Sequence, residues 1–133
     1  MNRLPALHRS VGWATLGMFL ISGMYMRSRF PEAYAASEGI RYQYRANHLY
    51  LLFGALLNLL LARYFVAAVS AARRRAQMVG STLLLFLPAA LVWAFLMEPP
   101  QASPHRPATA LGIVMAAAGT LLHVLASEKG PEP

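Results

Sequence analysis

Four histidines and eleven arginines carry most of the side-chain chemistry of this 133-residue chain, which has no Asp, no Cys and a single Lys. Imidazole titrates near neutral pH and ligates metals, and guanidinium binds planar anions through paired hydrogen bonds. The imidazoles are His8, His48, His105 and His123. The densest polar run is residues 41–50, RYQYRANHLY. On a helix, Arg41, Arg45 and His48 fall at i, i+4 and i+7 and share one face, with Tyr44 and Asn47 beside them. That face suits a phosphate, a carboxylate, haem propionates or a quinone carbonyl, and it equally suits lipid head groups. The missing Asp removes Ser/His/Asp catalysis, and the missing Cys removes thiolate nucleophiles, thiolate metal sites and disulfides. No Gly-rich phosphate loop, HExxH pair or Gly-x-Ser-x-Gly elbow occurs, so the expectation is a non-catalytic protein.

The elements that must position these groups follow from composition. The chain is 57% hydrophobic and 13% charged, against roughly 25% charged in soluble domains. It lacks the polar side chains needed to face water. Residues 10–26, 46–62, 76–97 and 107–127 carry no charge, and about 20 apolar residues cross a bilayer. Terminal arginines can snorkel to the head groups, which extends the first two runs. None of the runs alternates with period two, so barrel strands are excluded and helices are required. The expected fold is all-α: one domain over residues 1–133, with four transmembrane helices at about 6–26, 46–69, 76–97 and 107–127 in an antiparallel bundle. The connections are a polar loop at 27–45 broken at Pro31, a tight turn at Arg73, Arg74 and Arg75, and an exposed Pro-rich loop at 98–107.

A net charge of +7 would point a soluble protein towards nucleic acid, but these arginines flank apolar runs and are read as topology and head-group contacts, with no nucleic acid. Seven basic residues fall on the side of the termini and five on the other. This favours cytoplasmic termini in a cell inner membrane and an external 27–45 loop. Ala33-Tyr34-Ala35 has the small-x-small form of a signal-peptide cleavage site, but the preceding apolar run is too long, and a signal anchor is expected.

Two imidazoles stand out by placement. His8 opens the first helix and His123 lies near the end of the fourth, on the same side of the membrane. Gly12 lies four residues after His8 and Gly119 four before His123, each one turn deeper on the face of its imidazole. Two such imidazoles, each backed by a glycine, would leave room for a porphyrin whose haem iron takes one nitrogen from each ring. The Leu-His-Arg-x-x-Gly run at residues 7–12, together with His123, resembles the four-helix transmembrane b-type cytochromes. That resemblance implies haem b, ligands on different helices, and electron transfer, with a quinone as the partner redox group. Arg45-Ala46-Asn47-His48 is similar in composition and place to a motif of the membrane-associated glutathione and eicosanoid enzymes. Here, however, His and Asn are exchanged and the following Glu is absent, so glutathione binding is not expected.

Other features ask only for packing. Gly112, Ala116, Gly119 and His123 share a small-residue face of the kind that lets membrane helices approach closely. Asn58 lies deep in the second span, where an amide needs a partner on another helix. Pro88 frees a backbone carbonyl one turn earlier in the third. The expected function is therefore an inner-membrane subunit or accessory factor that associates with lipid and with other membrane subunits or itself. The haem protein is the alternative, and a small enzyme or transporter for an anionic amphiphile at the Arg41/Arg45/His48 face is a third reading.

Overall fold

A computed structural model describes residues 3–127. Four helices account for nearly all of them: α1 Leu4–Ala33, α2 Glu38–Tyr64, α3 Ala71–Met97 and α4 Pro107–Ser127, with a single 3-10 turn at Pro99–Gln101. There is no strand among the described residues. Three helical segments, α2, α3 with its following turn, and α4, are long and apolar enough to cross a membrane.

The helices overrun the apolar stretches, and the polar links shrink accordingly. α1 continues through Pro31 to Ala33. α2 begins at Glu38, where the Ser37 hydroxyl accepts the Ile40 N–H. The loop expected over residues 27–45 is thus reduced to residues 34–37, because Pro31 near a helix end costs little and Ser37 is a good N-cap. α2 stops at Tyr64. Ser70 caps α3 by accepting the Arg73 N–H, so the three arginines expected to form a turn lie in the first turns of a helix. The intervening segment is held by Gln77, whose amide donates to Val66 O at 2.6 Å and accepts from the Ala68 N–H at 3.1 Å.

α1 packs along α2 and α3 along α4, and the two hairpins meet mainly through α2 and α3. The α3–α4 contact is close enough to exclude side chains: a Cβ added to Gly80 would lie 2.9 Å from the carbonyl oxygen of Gly119. The inward face of α4 is Thr109, Gly112, Ala116, Gly119, His123 and Ala126, the small-residue stripe expected from the sequence.

The distribution of side chains is the reverse of a soluble bundle. His8, Thr15, Ser22, Asn47, Asn58, Gln77 and Ser81 are buried, whereas Trp13, Leu20, Phe53, Phe86, Trp93 and Leu121 are exposed. Leu51, Leu84, Leu87 and Leu91 fill the middle between α2 and α3. A helix that turns its few polar groups inward and its large apolar groups outward minimises free energy in hydrocarbon rather than in water.

Candidate functional site

The polar side chains gather at the two ends of the bundle. At the end where α1 begins and α4 finishes, His8 and His123 come together with ring centres 6.2 Å apart and planes at 78°. Each ring is tied to the other helix of its own hairpin. His8 Nδ1 is 2.7 Å from Asn58 Oδ1 on α2, and His123 Nε2 is 3.0 Å from the Ser81 hydroxyl on α3. Phe65 covers His123 edge-on at 5.8 Å.

Asn58 fixes more than position. Its Nδ2 donates to Gly54 O at 3.0 Å and to Leu84 O at 2.9 Å. Carbonyls only accept, so the amide nitrogen must face them and Oδ1 must face His8. Oδ1 also only accepts, so in the neutral ring the proton of His8 sits on Nδ1 and the lone pair on Nε2. His8 has no exposed surface, and its Nε2 has no hydrogen-bond partner. A buried acceptor left unmade costs about 1–3 kcal/mol.

Leu84 is also the residue four before Pro88, so its carbonyl is the one deprived of a helical donor. Asn58 supplies that donor from across the α2–α3 contact. The two features noted separately in the sequence, an amide needing a partner and a carbonyl losing one, are the two halves of one hydrogen bond.

Gly12 and Gly119 are both committed to helix packing. A Cβ on Gly12 would lie 2.7 Å from Leu59 Cγ, and one on Gly119 would lie 2.6 Å from Leu84 Cγ. The surface that the sequence left open for a flat macrocycle is filled by leucines of α2 and α3.

At the opposite end the expected cationic face divides. Arg41 and Arg45 remain together in a shallow recess shared with Glu38, whose carboxylate lies 3.5 Å from Arg41. His48 turns to α1 instead: Nδ1 is 2.8 Å from the Ser22 hydroxyl, and the ring stacks on Phe19 at 4.0 Å. Tyr44 is buried among Tyr25, Phe30, Tyr34 and Phe95, with its hydroxyl 3.3 Å from that of Tyr34. Asn47 points to the other hairpin: its amide nitrogen donates to Ala94 O at 2.9 Å, and its oxygen accepts from Arg106 and lies 3.1 Å from the Thr109 hydroxyl. The single Arg41/Arg45/His48 face expected from helical spacing is thus divided: His48 and Tyr44 pack on α1, and Asn47 bonds to α3 and α4.

A second buried cluster had no place in the sequence reading. Glu98 is only 5% exposed, although the Pro-rich segment after α3 was expected to lie in water and no acidic group was expected inside. One carboxylate oxygen accepts the N–H groups of Ala108 and Thr109 at 2.7 and 3.0 Å, capping α4. The other accepts the Thr109 hydroxyl and lies 3.5 Å from Arg106 Nε. Arg106 also donates to Asn47 and to Thr109. A Glu just before a helix break, with an Arg and a Pro opening the next helix, was the available signal. His105, by contrast, is exposed.

Beside these clusters runs an apolar groove of about 780 Å³ between α2 and α4, walled by Leu49, Phe53 and Ala117 among others and floored by Leu87 and Leu91. It shares Leu57, Thr120 and Val124 with a smaller one of about 560 Å³ that reaches His123.

Compared with models of known protein families, with curated proteins and with solved structures, the chain shows no match.

Proposed function

We propose that this chain is a four-span integral membrane protein that acts without catalysis, as a subunit whose α2–α4 groove receives a transmembrane helix of a partner. α1 is read as the fourth span because its 30 residues reach about 45 Å at 1.5 Å per residue, and because Trp13, Leu20, Ile21 and Met24 point outward along it. An inner-membrane location with cytoplasmic termini follows from the arginine bias.

The observation that carries the reading is the groove itself. In lipid, two helices associate by close packing, and small residues let their backbones approach. Its α4 wall presents the exposed Ala117 and Thr120 beside the buried Gly112 and Ala116. The polar groups of the bundle, meanwhile, are spent almost entirely on holding its own helices together, which leaves little committed to a reaction. Photo-crosslinking from Phe53 and Ala117 in native membranes tests the reading. A discrete adduct with another membrane protein, lost in Ala117→Trp, is expected. Crosslinks to lipid alone would remove it.

The haem expectation is supported by the meeting of His8 and His123, and opposed by the leucines packed on Gly12 and Gly119. A porphyrin would need those contacts opened, so a bis-imidazole haem stands second. An absorption band near the haem Soret position in purified protein, lost in His8→Ala, would raise it to first. The amphiphile reading loses its site, since His48, Tyr44 and Asn47 no longer stand with Arg41 and Arg45.

A further inference from the structure

We infer that His8 and His123 form a two-imidazole site for a soft monovalent transition-metal ion, copper(I). The inference does not depend on the groove reading, because neither His8 nor His123 lines the groove assigned to the partner helix.

The argument begins with His8. Its tautomer is dictated by Asn58, whose own orientation is dictated by two backbone carbonyls. This is the arrangement by which metal-binding histidines are oriented: one ring nitrogen donates to a fixed acceptor and the other presents its lone pair to the metal. The presented nitrogen, Nε2, has no surface and no partner. Nothing in the packing of the bundle gives it a use.

His123 supplies the second ligand. Ser81 holds its Nε2, and its Nδ1 has no hydrogen-bond partner among the described residues. With metal–nitrogen bonds of about 2.0 Å, two imidazoles on one ion have ring centres roughly 6 Å apart. The observed separation is 6.2 Å. The planes are inclined at 78°, and a shared ion requires each ring to turn its in-plane nitrogen towards the point between them.

The choice of ion follows from charge and ligand number. No group of three or more His, Cys, Asp or Glu side chains able to hold a metal ion occurs among the described residues, so a four-coordinate zinc site lacks ligands. Both donors are neutral, and the one carboxylate buried among the described residues, Glu98, is at the far end of the bundle. The cost of burying an ion grows with the square of its charge, so an uncompensated dication costs about four times a monocation here. Imidazole nitrogens bind copper well, and copper(I) accepts two ligands in line.

The test is an anaerobic copper(I) titration of the detergent-solubilised full-length chain against a colorimetric copper(I) chelator. One equivalent should bind to the wild-type protein, with binding at least tenfold weaker in His8→Ala and in His123→Ala. In Asn58→Leu, which removes the orienting acceptor and leaves both imidazoles in the chain, binding by the protein that remains folded should fall by roughly tenfold or more. His48→Ala and His105→Ala should bind as wild type. Folding is followed by circular dichroism. Should the His8 and His123 variants fail to fold, X-ray absorption on the copper-loaded wild type decides: two nitrogen ligands with imidazole scattering are expected, and a sulfur or four-coordinate environment would overturn the site. Folded wild-type protein that binds no copper(I), or binding retained in both histidine variants, would also overturn it. So would a purified protein whose haem absorption depends on His8, since the iron of a porphyrin would then own the imidazoles.

Discussion

The side chain of Asn58 donates to the carbonyl that Pro88 leaves without a helical partner, joining α2 to α3 at the centre of the bundle. Because Asn58 also orients His8, one amide connects a helix defect, a hairpin interface and an imidazole.

That connection predicts a coupled mutational response. Asn58→Leu strands the Leu84 carbonyl and the His8 Nδ1–H, at about 1–3 kcal/mol for each buried group. In a Pro88→Ala background, residue 88 regains an N–H for Leu84, so Asn58→Leu should cost measurably less there. A double-mutant cycle by unfolding in mixed micelles checks this, and strict additivity would refute the link.

Glu98 is expected to be among the most sensitive positions outside the histidine pair. Glu98→Ala removes the cap of α4 and leaves Arg106 half-buried without its anion, and breaking a buried pair in this way costs about 3–5 kcal/mol. Glu98→Gln keeps an acceptor for the N–H groups of Ala108 and Thr109 and should lose less. Thermal unfolding of the three proteins in one detergent ranks them.

The α3–α4 seam should resist even a methyl group. Gly80→Ala places its Cβ against the Gly119 carbonyl, where only a backbone shift relieves the clash, so a loss of about 1–3 kcal/mol is expected. Gly39→Ala, whose Cβ would meet nothing within 4 Å, is the control. Comparable losses in both would mean that the seam is looser than described.

Topology is open to a clean experiment because the chain has no cysteine. With four spans, single substitutions Arg3→Cys and Ser70→Cys should react with an impermeant maleimide from one side of the membrane, and Ser37→Cys and Ser103→Cys from the other. If Arg3 and Ser37 label from the same side, α1 does not cross.

The helical class and the buried stripe of α4 were legible in the sequence because charge-free length and small-residue spacing are local properties. The ends of the helices were less so. Apolar content marks where a helix meets hydrocarbon, whereas helix length is set by caps such as Ser37 and Ser70, which lie outside it. His8 and His123 could be paired from topology alone, since both lie at the same end of antiparallel rods. The partition of Tyr44, Asn47 and His48 between α1 and the second hairpin could not be read. One helix wheel shows which residues share a face but not which helix stands opposite each of them. Glu98 escaped notice because a proline-rich flank reads as solvent-exposed, and only the return of α4 over it supplies the N–H groups that make its burial tolerable.

The link between α2 and α3 also has a consequence for biogenesis. Residues 65–70 are secured mainly by the side chain of Gln77, and each hairpin keeps its own extensive contact surface. In the four-span reading, the polypeptide divides into two hairpins joined by a short tether. Two separately translated fragments, divided within that tether, should each enter the bilayer and find one another there, with Asn58 and Leu84 serving as the recognition point between them.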